Sequence, residues 1–110
     1  MEIQKTTQAK TPQLIAERKP FRTHGAMSAN WYNLPRECVT GDLPPYWRYL
    51  FNSTTERLYV VYSYHTPIAW YTDTHGWTIP NVWYSATTKS KHQYQLILVR
   101  DGAVTEPVEN

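Results

Sequence analysis

Thr87-Thr88-Lys89-Ser90-Lys91-His92 is the stretch of this chain best equipped for chemistry. Its side chains are hydroxyls, ammonium groups and an imidazole. At a helix start, such groups and the unsatisfied backbone N–H groups make an anion site, suited to a phosphate of a nucleotide or nucleic acid. The same residues have a plainer reading. Ser90 and Gln93 have the spacing of a capping box, in which Ser90 accepts from the Gln93 N–H and the Gln93 side chain reaches back to the Ser90 N–H. The lysines are then solvated charges on a capped helix.

Histidines stand at His24, His65, His75 and His92. No two have the i, i+4 spacing of a metal-binding helix and no carboxylate pair accompanies them, so neither metal nor cofactor is expected. His75 reads as a turn residue. His24 and His92 are the candidates for an acid–base pair in phosphodiester cleavage, if the fold brings them together. Cys38 lies beside Arg36 and Glu37 without a nucleophile signature. As a lone cysteine it excludes a disulfide framework and a multi-cysteine zinc site.

Aromatic side chains are the third candidate. On an extended strand, Tyr62 and Tyr64 share one face, and Tyr59, Val61 and Ser63 the other. Trp70, Trp77 and Tyr84 occupy neighbouring segments. Exposed beside lysines, these rings would stack bases as single-strand binders do, or form a hot-spot surface for a protein partner. Turned inward, they are a core.

Positioning these groups requires an α+β domain. Leu58–Tyr64 is a nearly unbroken β-branched and aromatic run, the mark of a central strand. Ile68–Thr72 and Trp77–Ile79 flank Asp73-Thr74-His75-Gly76 and form a hairpin. Alternation from Phe21 to Tyr32 predicts a further strand, weakened at Gly25. Gln13–Arg18 and Val82–Ala86 read as short strands. Prolines ahead of Tyr46-Trp47-Arg48-Tyr49-Leu50-Phe51 predict a helix at about 43–52. The capping box, with Asp101-Gly102 as a stop, predicts another at about 91–100. The expected architecture is an antiparallel sheet of four or five short strands with two short helices.

Composition bounds the function. The 110 residues suit one small domain. No apolar run reaches the roughly 18 residues of a membrane helix, and Met1–Lys10 is too polar for a secretory signal. A cytoplasmic protein is expected. Charge is local: residues 1–24 and 86–100 each carry a net +3, while 101–110 carry −3 within a total of +2. That balance falls short of a dedicated nucleic-acid binder. Residues 1–12 read as a disordered basic tail, 13–100 as the folded domain and 101–110 as a flexible acidic tail.

The words Val60-Val61-Tyr62-Ser63-Tyr64, Thr66-Pro67-Ile68-Ala69-Trp70, Tyr84-Ser85-Ala86-Thr87-Thr88 and Ser90-Lys91-His92-Gln93 carry a resemblance, with Thr23-His24-Gly25 and Leu43-Pro44. The chain resembles small uncharacterised proteins of actinobacterial phages and mobile elements. Here Lys89 interrupts the run of threonines into Ser-Lys-His-Gln. The resemblance implies a phage or prophage accessory protein in a bacterial host cytoplasm, and no particular activity. With the aromatics and the missing catalytic set, it leads to a non-enzymatic protein that binds a host protein, inhibiting a defence or housekeeping system. The alternatives are a nucleic-acid binder using the 87–92 loop and an aromatic sheet face, and a small histidine-dependent nuclease or hydrolase.

Overall fold

Every residue of Leu58–Ser63 is buried, and this strand, β4, is the centre of the molecule. The computed structural model describes residues 4–24, 26–85 and 88–106. It is an α+β fold built on an open sheet of six strands: β1 Gln4–Thr6, β2 Phe21–Thr23, β3 Met27–Tyr32, β4, β5 Thr66–Thr72 and β6 Gly76–Thr78. The strands lie side by side in chain order. β1 and β2 are parallel, and every later pair is antiparallel. The sheet is therefore mixed, with more strands than the four or five expected.

The extra strand comes from the segment read as a disordered tail. Gln4–Thr6 pairs with Phe21–Thr23, and Gln8–Lys10 begins a helical turn that continues into α1, Thr11–Ala16. Polar composition hid this order because the anchor is remote in sequence. Leu14 and Ile15 bury themselves in the core and hold the whole segment down. They are adjacent on a helix rather than alternating on the strand predicted for 13–18. Pro12 in the first turn was the local signal for the helix. At its end Arg18 takes a left-handed φ of 54°, while the Lys19 N–H donates to the Leu14 carbonyl at 2.9 Å, the closure usually given to glycine.

Helices cover both sheet faces. The second helix, α2 at Pro45–Asn52, puts Trp47 and Phe51 one turn apart into a core with Leu43, Leu58, Val60, Tyr62 and Trp70. On the other face α1 joins Phe21, Met27, Ala29, Tyr59, Val61, Ile68 and Leu96. The predicted C-terminal helix starts earlier than 91–100 and is irregular. It runs Thr88–His92 with wide π-type turns, then Gln93–Leu96 as 3-10, and ends in turns. Thr11 Oγ1 donates to Gln95 Oε1 at 3.3 Å, tying it to α1.

Two further expectations changed. Phe21–Tyr32 is two antiparallel strands rather than one, since Thr23 Oγ1 accepts from the Met27 N–H at 3.3 Å and closes a turn. Val82–Ser85 forms no strand. The β6 edge is taken instead by the C-terminal residues. The Val104 N–H donates to the Trp77 carbonyl at 3.0 Å, and the Ile79 N–H donates to the Val104 carbonyl at 2.8 Å.

β5 carries a bulge beside the end of β4. Val61 faces Ala69 but Tyr62 faces Pro67, so Ile68 is an additional residue. Pro67 is tolerated there because β6 pairs only with Trp70–Thr72, leaving no neighbour on that side to miss an N–H.

Candidate functional site

Ser63 ends β4 as a small polar residue after five large ones, and it is 2 % exposed. Its Oγ lies 2.5 Å from His92 Nδ1 and 3.0 Å from Thr88 Oγ1. Thr88 is 4 % exposed and His92 5 %. Three residues that are remote or four apart in sequence thus share one buried polar centre, because the turns of 88–92 stack on the end of the central strand.

The sense of the hydrogen bonds comes from the donor inventory. Ser85 Oγ accepts from the Thr88 N–H at 3.1 Å and donates to Thr88 Oγ1 at 3.2 Å. Thr88 can then donate to Ser63, and Ser63 to His92 Nδ1 when the imidazole carries its proton on Nε2. In that arrangement Nδ1 is the terminal acceptor and the imidazole is neutral. Burial agrees: desolvation pushes the His92 pKa below the ordinary histidine value.

A cavity of about 170 Å³ opens beside this chain, lined by Asp42, Ser63, Tyr64, Thr66, Tyr84, Ser85 and Thr88. The Tyr84 hydroxyl is buried without a hydrogen-bond partner among the described residues. Its burial pushes the phenol up to about 12, so it remains a proton donor across neutral pH. Tyr64 stands at the β4–β5 turn in a left-handed φ of 57°, exposed, with its ring centroid 5.6 Å from that of His92. A bulky residue held there is unusual. The opposite wall is tight. Thr66 Oγ1 accepts from the Asp42 N–H at 2.8 Å, and a Cβ on Gly41 would lie 2.3 Å from the same oxygen.

The other sequence candidates are dispersed. His24 is exposed on a groove with Lys5, Thr6, Arg22 and Thr23, and no contact joins it to His92 among the described residues. Tyr62 and Trp70 lie beneath α2, with the Phe51 and Trp70 rings 4.9 Å apart, so neither is open for a base to stack on. Trp77 belongs to a row across four strands, Trp31, Tyr59, Tyr71 and Trp77, in which successive residues are cross-strand partners. Arg57 and Arg18 stack on its Trp31 and Tyr71 at 4.1 and 4.4 Å. Lys89 and Lys91 are exposed on the outside of the Thr88–His92 turns. Thr87 and the side chain of Ser90 lie outside the described residues, so the capping box does too in part.

A family model matches residues 1–106. The chain belongs to DUF8033, a family of unknown function. No match is found among curated proteins or among solved structures. All four of the main segments that carried the resemblance contribute to the polar centre of this DUF8033 chain: Ser63 and Tyr64, Thr66, Tyr84 with Ser85 and Thr88, and His92. Ser63, Thr66 and Asp42 were missed as site residues. The available signal was a lone serine closing an apolar strand. Among the described residues no three metal-ligating side chains gather, and no helix is long and apolar enough to cross a membrane.

The outer surface of the same C-terminal region carries exposed apolar side chains among its charges. Trp83 is 69 % exposed, Tyr94 59 % and Leu98 57 %. Gln93 Nε2 donates to the Val82 carbonyl at 3.0 Å, holding the Trp83 segment beside the turn that carries Tyr94. Lys89, Arg100, Ile79, Pro80 and Tyr94 line an adjoining groove of about 320 Å³.

Proposed function

We propose that this chain is a phage or mobile-element accessory protein that binds a bacterial host protein, with inhibition of that protein as the consequence. The observation that carries the reading is that Trp83, Tyr94 and Leu98 are each more than half exposed. Exposed large apolar and aromatic side chains on a small domain are the residue types that anchor interaction sites. Lys89 and Arg100 on the adjoining groove favour a partner segment that mixes apolar and acidic residues. The test is capture from host lysate with the wild type and with Trp83→Ser plus Leu98→Ser. Both changes are on the surface, so the variant should unfold within about 0.5 kcal/mol of wild type. A protein retained by wild type alone supports the reading, and equal recovery by both sinks it.

One observation favours nucleic acid as a second reading. Lys5 and Arg22 are direct cross-strand partners, and with His24 they line a groove of about 400 Å³. Like charges so opposed repel, and a phosphate between them would relieve this. Binding of single-stranded DNA that weakens steeply with salt, and is lost in Arg22→Ala, would support that reading.

A further inference from the structure

The geometry points to Ser63 as a nucleophile with His92 as its base, in a cavity that takes a small acyl ester. This activity is separate from partner binding at Trp83, Tyr94 and Leu98. Four observations converge. The Ser63–His92 bond is short, and with His92 neutral and its proton on Nε2, Nδ1 is an acceptor for the Ser63 proton while Thr88 Oγ1 lies 3.0 Å from the same hydroxyl. That is the relation a serine needs to be activated. Ser63 and Tyr84 line the same cavity, and the Tyr84 hydroxyl, unpartnered among the described residues, has a proton uncommitted to any other group, as a donor to a developing oxyanion needs. At about 170 Å³ the cavity admits a small acyl group and excludes a polymer. The left-handed Tyr64 beside Ser63 is backbone strain next to the reacting atom, and such strain concentrates at functional sites.

The step balances without a cofactor. Ser63 Oγ bonds to the acyl carbon while its proton passes to His92 Nδ1. The bond from that carbon to the leaving alcohol oxygen breaks, and His92 gives that oxygen the proton. Water, losing a proton to His92, then attacks the acyl-Ser63 ester. The carboxylic acid leaves, Ser63 regains its proton and His92 is neutral again. Tyr84 donates to the oxyanion in both halves.

The probes are methanesulfonyl fluoride and p-nitrophenyl acetate, applied to the intact chain. The sulfonyl fluoride should place one adduct on Ser63, with fluoride as the leaving group, and none on the exposed Ser53. Ser63→Ala should lose the adduct. His92→Gln, which keeps a polar side chain, should slow labelling by about 10²-fold or more. Tyr84→Phe should slow release of p-nitrophenol while leaving the far-ultraviolet dichroism unchanged. Wild-type labelling should be level from neutral pH upward and fall only on acidification, as His92 takes a proton. Absence of an adduct at Ser63 in folded wild type overturns the proposal. So does a rate that climbs steadily through alkaline pH, or an equal rate in folded His92→Gln. The pH profile keeps the test decisive even if His92→Gln fails to fold.

Discussion

His92 leaves water on folding and exchanges it for one hydroxyl donor at Nδ1. Burial lowers its pKa in the folded state, so at mildly acidic pH the unfolded chain binds the additional proton. Stability then rises with pH wherever the unfolded state holds more protons. The His92 contribution is complete above the ordinary histidine value of about 6.5 and is lost as pH falls from there toward the folded pKa. Thermal melts should show a midpoint that drops between pH 7 and pH 5 more steeply in wild type than in His92→Gln. Parallel curves for the two proteins would show that His92 is not the group responsible.

At the scale of elements, the cavity depends on the 41–43 loop gripping the start of β5. Gly41 makes this possible: its φ is +46° and a Cβ would meet the His65 carbonyl oxygen at 2.5 Å as well as Thr66 Oγ1. Neither backbone nor a hydroxyl already bonded to the Asp42 N–H can step aside cheaply. Gly41→Ala should therefore cost about 1–3 kcal/mol, read as a lower urea midpoint with an unchanged slope. Gly76 is a useful control. Its φ is also positive, but nothing lies within 4 Å of its Cβ direction, so Gly76→Ala should cost only the backbone strain. Much of this scale was legible beforehand. The β4 run, the β5–β6 hairpin and the proline-led α2 each arise from local pattern. The first strand, α1 and the fate of Val82–Ser85 were not legible. Leu14 and Ile15 acquire their meaning from a sheet face that sequence spacing does not display, and Val104 outcompetes Val82 for the β6 edge only in three dimensions.

Across the whole molecule, the β6 edge of the sheet does not stand open. β6 is covered by Val104 and Thr105, whose backbone takes the hydrogen bonds of Trp77, Ile79 and Asn81. Cutting the chain after Asp101 would bare that edge and the apolar Trp77 beside it. An unpaired edge is a template for another chain. The truncated protein should melt at lower temperature and show concentration-dependent association by light scattering. Retention of full stability would show that the Val104 contact contributes little.

The sixteen aromatics show what each level decided. Sequence alone determined that a small, aromatic-rich domain would be built on a central strand near Leu58–Tyr64. Burial of apolar surface demands that for any chain of this composition. It also singled out His92 and its threonine neighbours as the stretch with chemistry. Only the tertiary structure decided that Tyr62 and Trp70 face inward, that Trp83 and Tyr94 face outward, and that His92 meets Ser63 instead of His24. The reason is that a strand has two faces, and which one is covered depends on helices whose docking is set by contacts remote in sequence. The same packing placed a serine from the end of β4 under a histidine twenty-nine positions away.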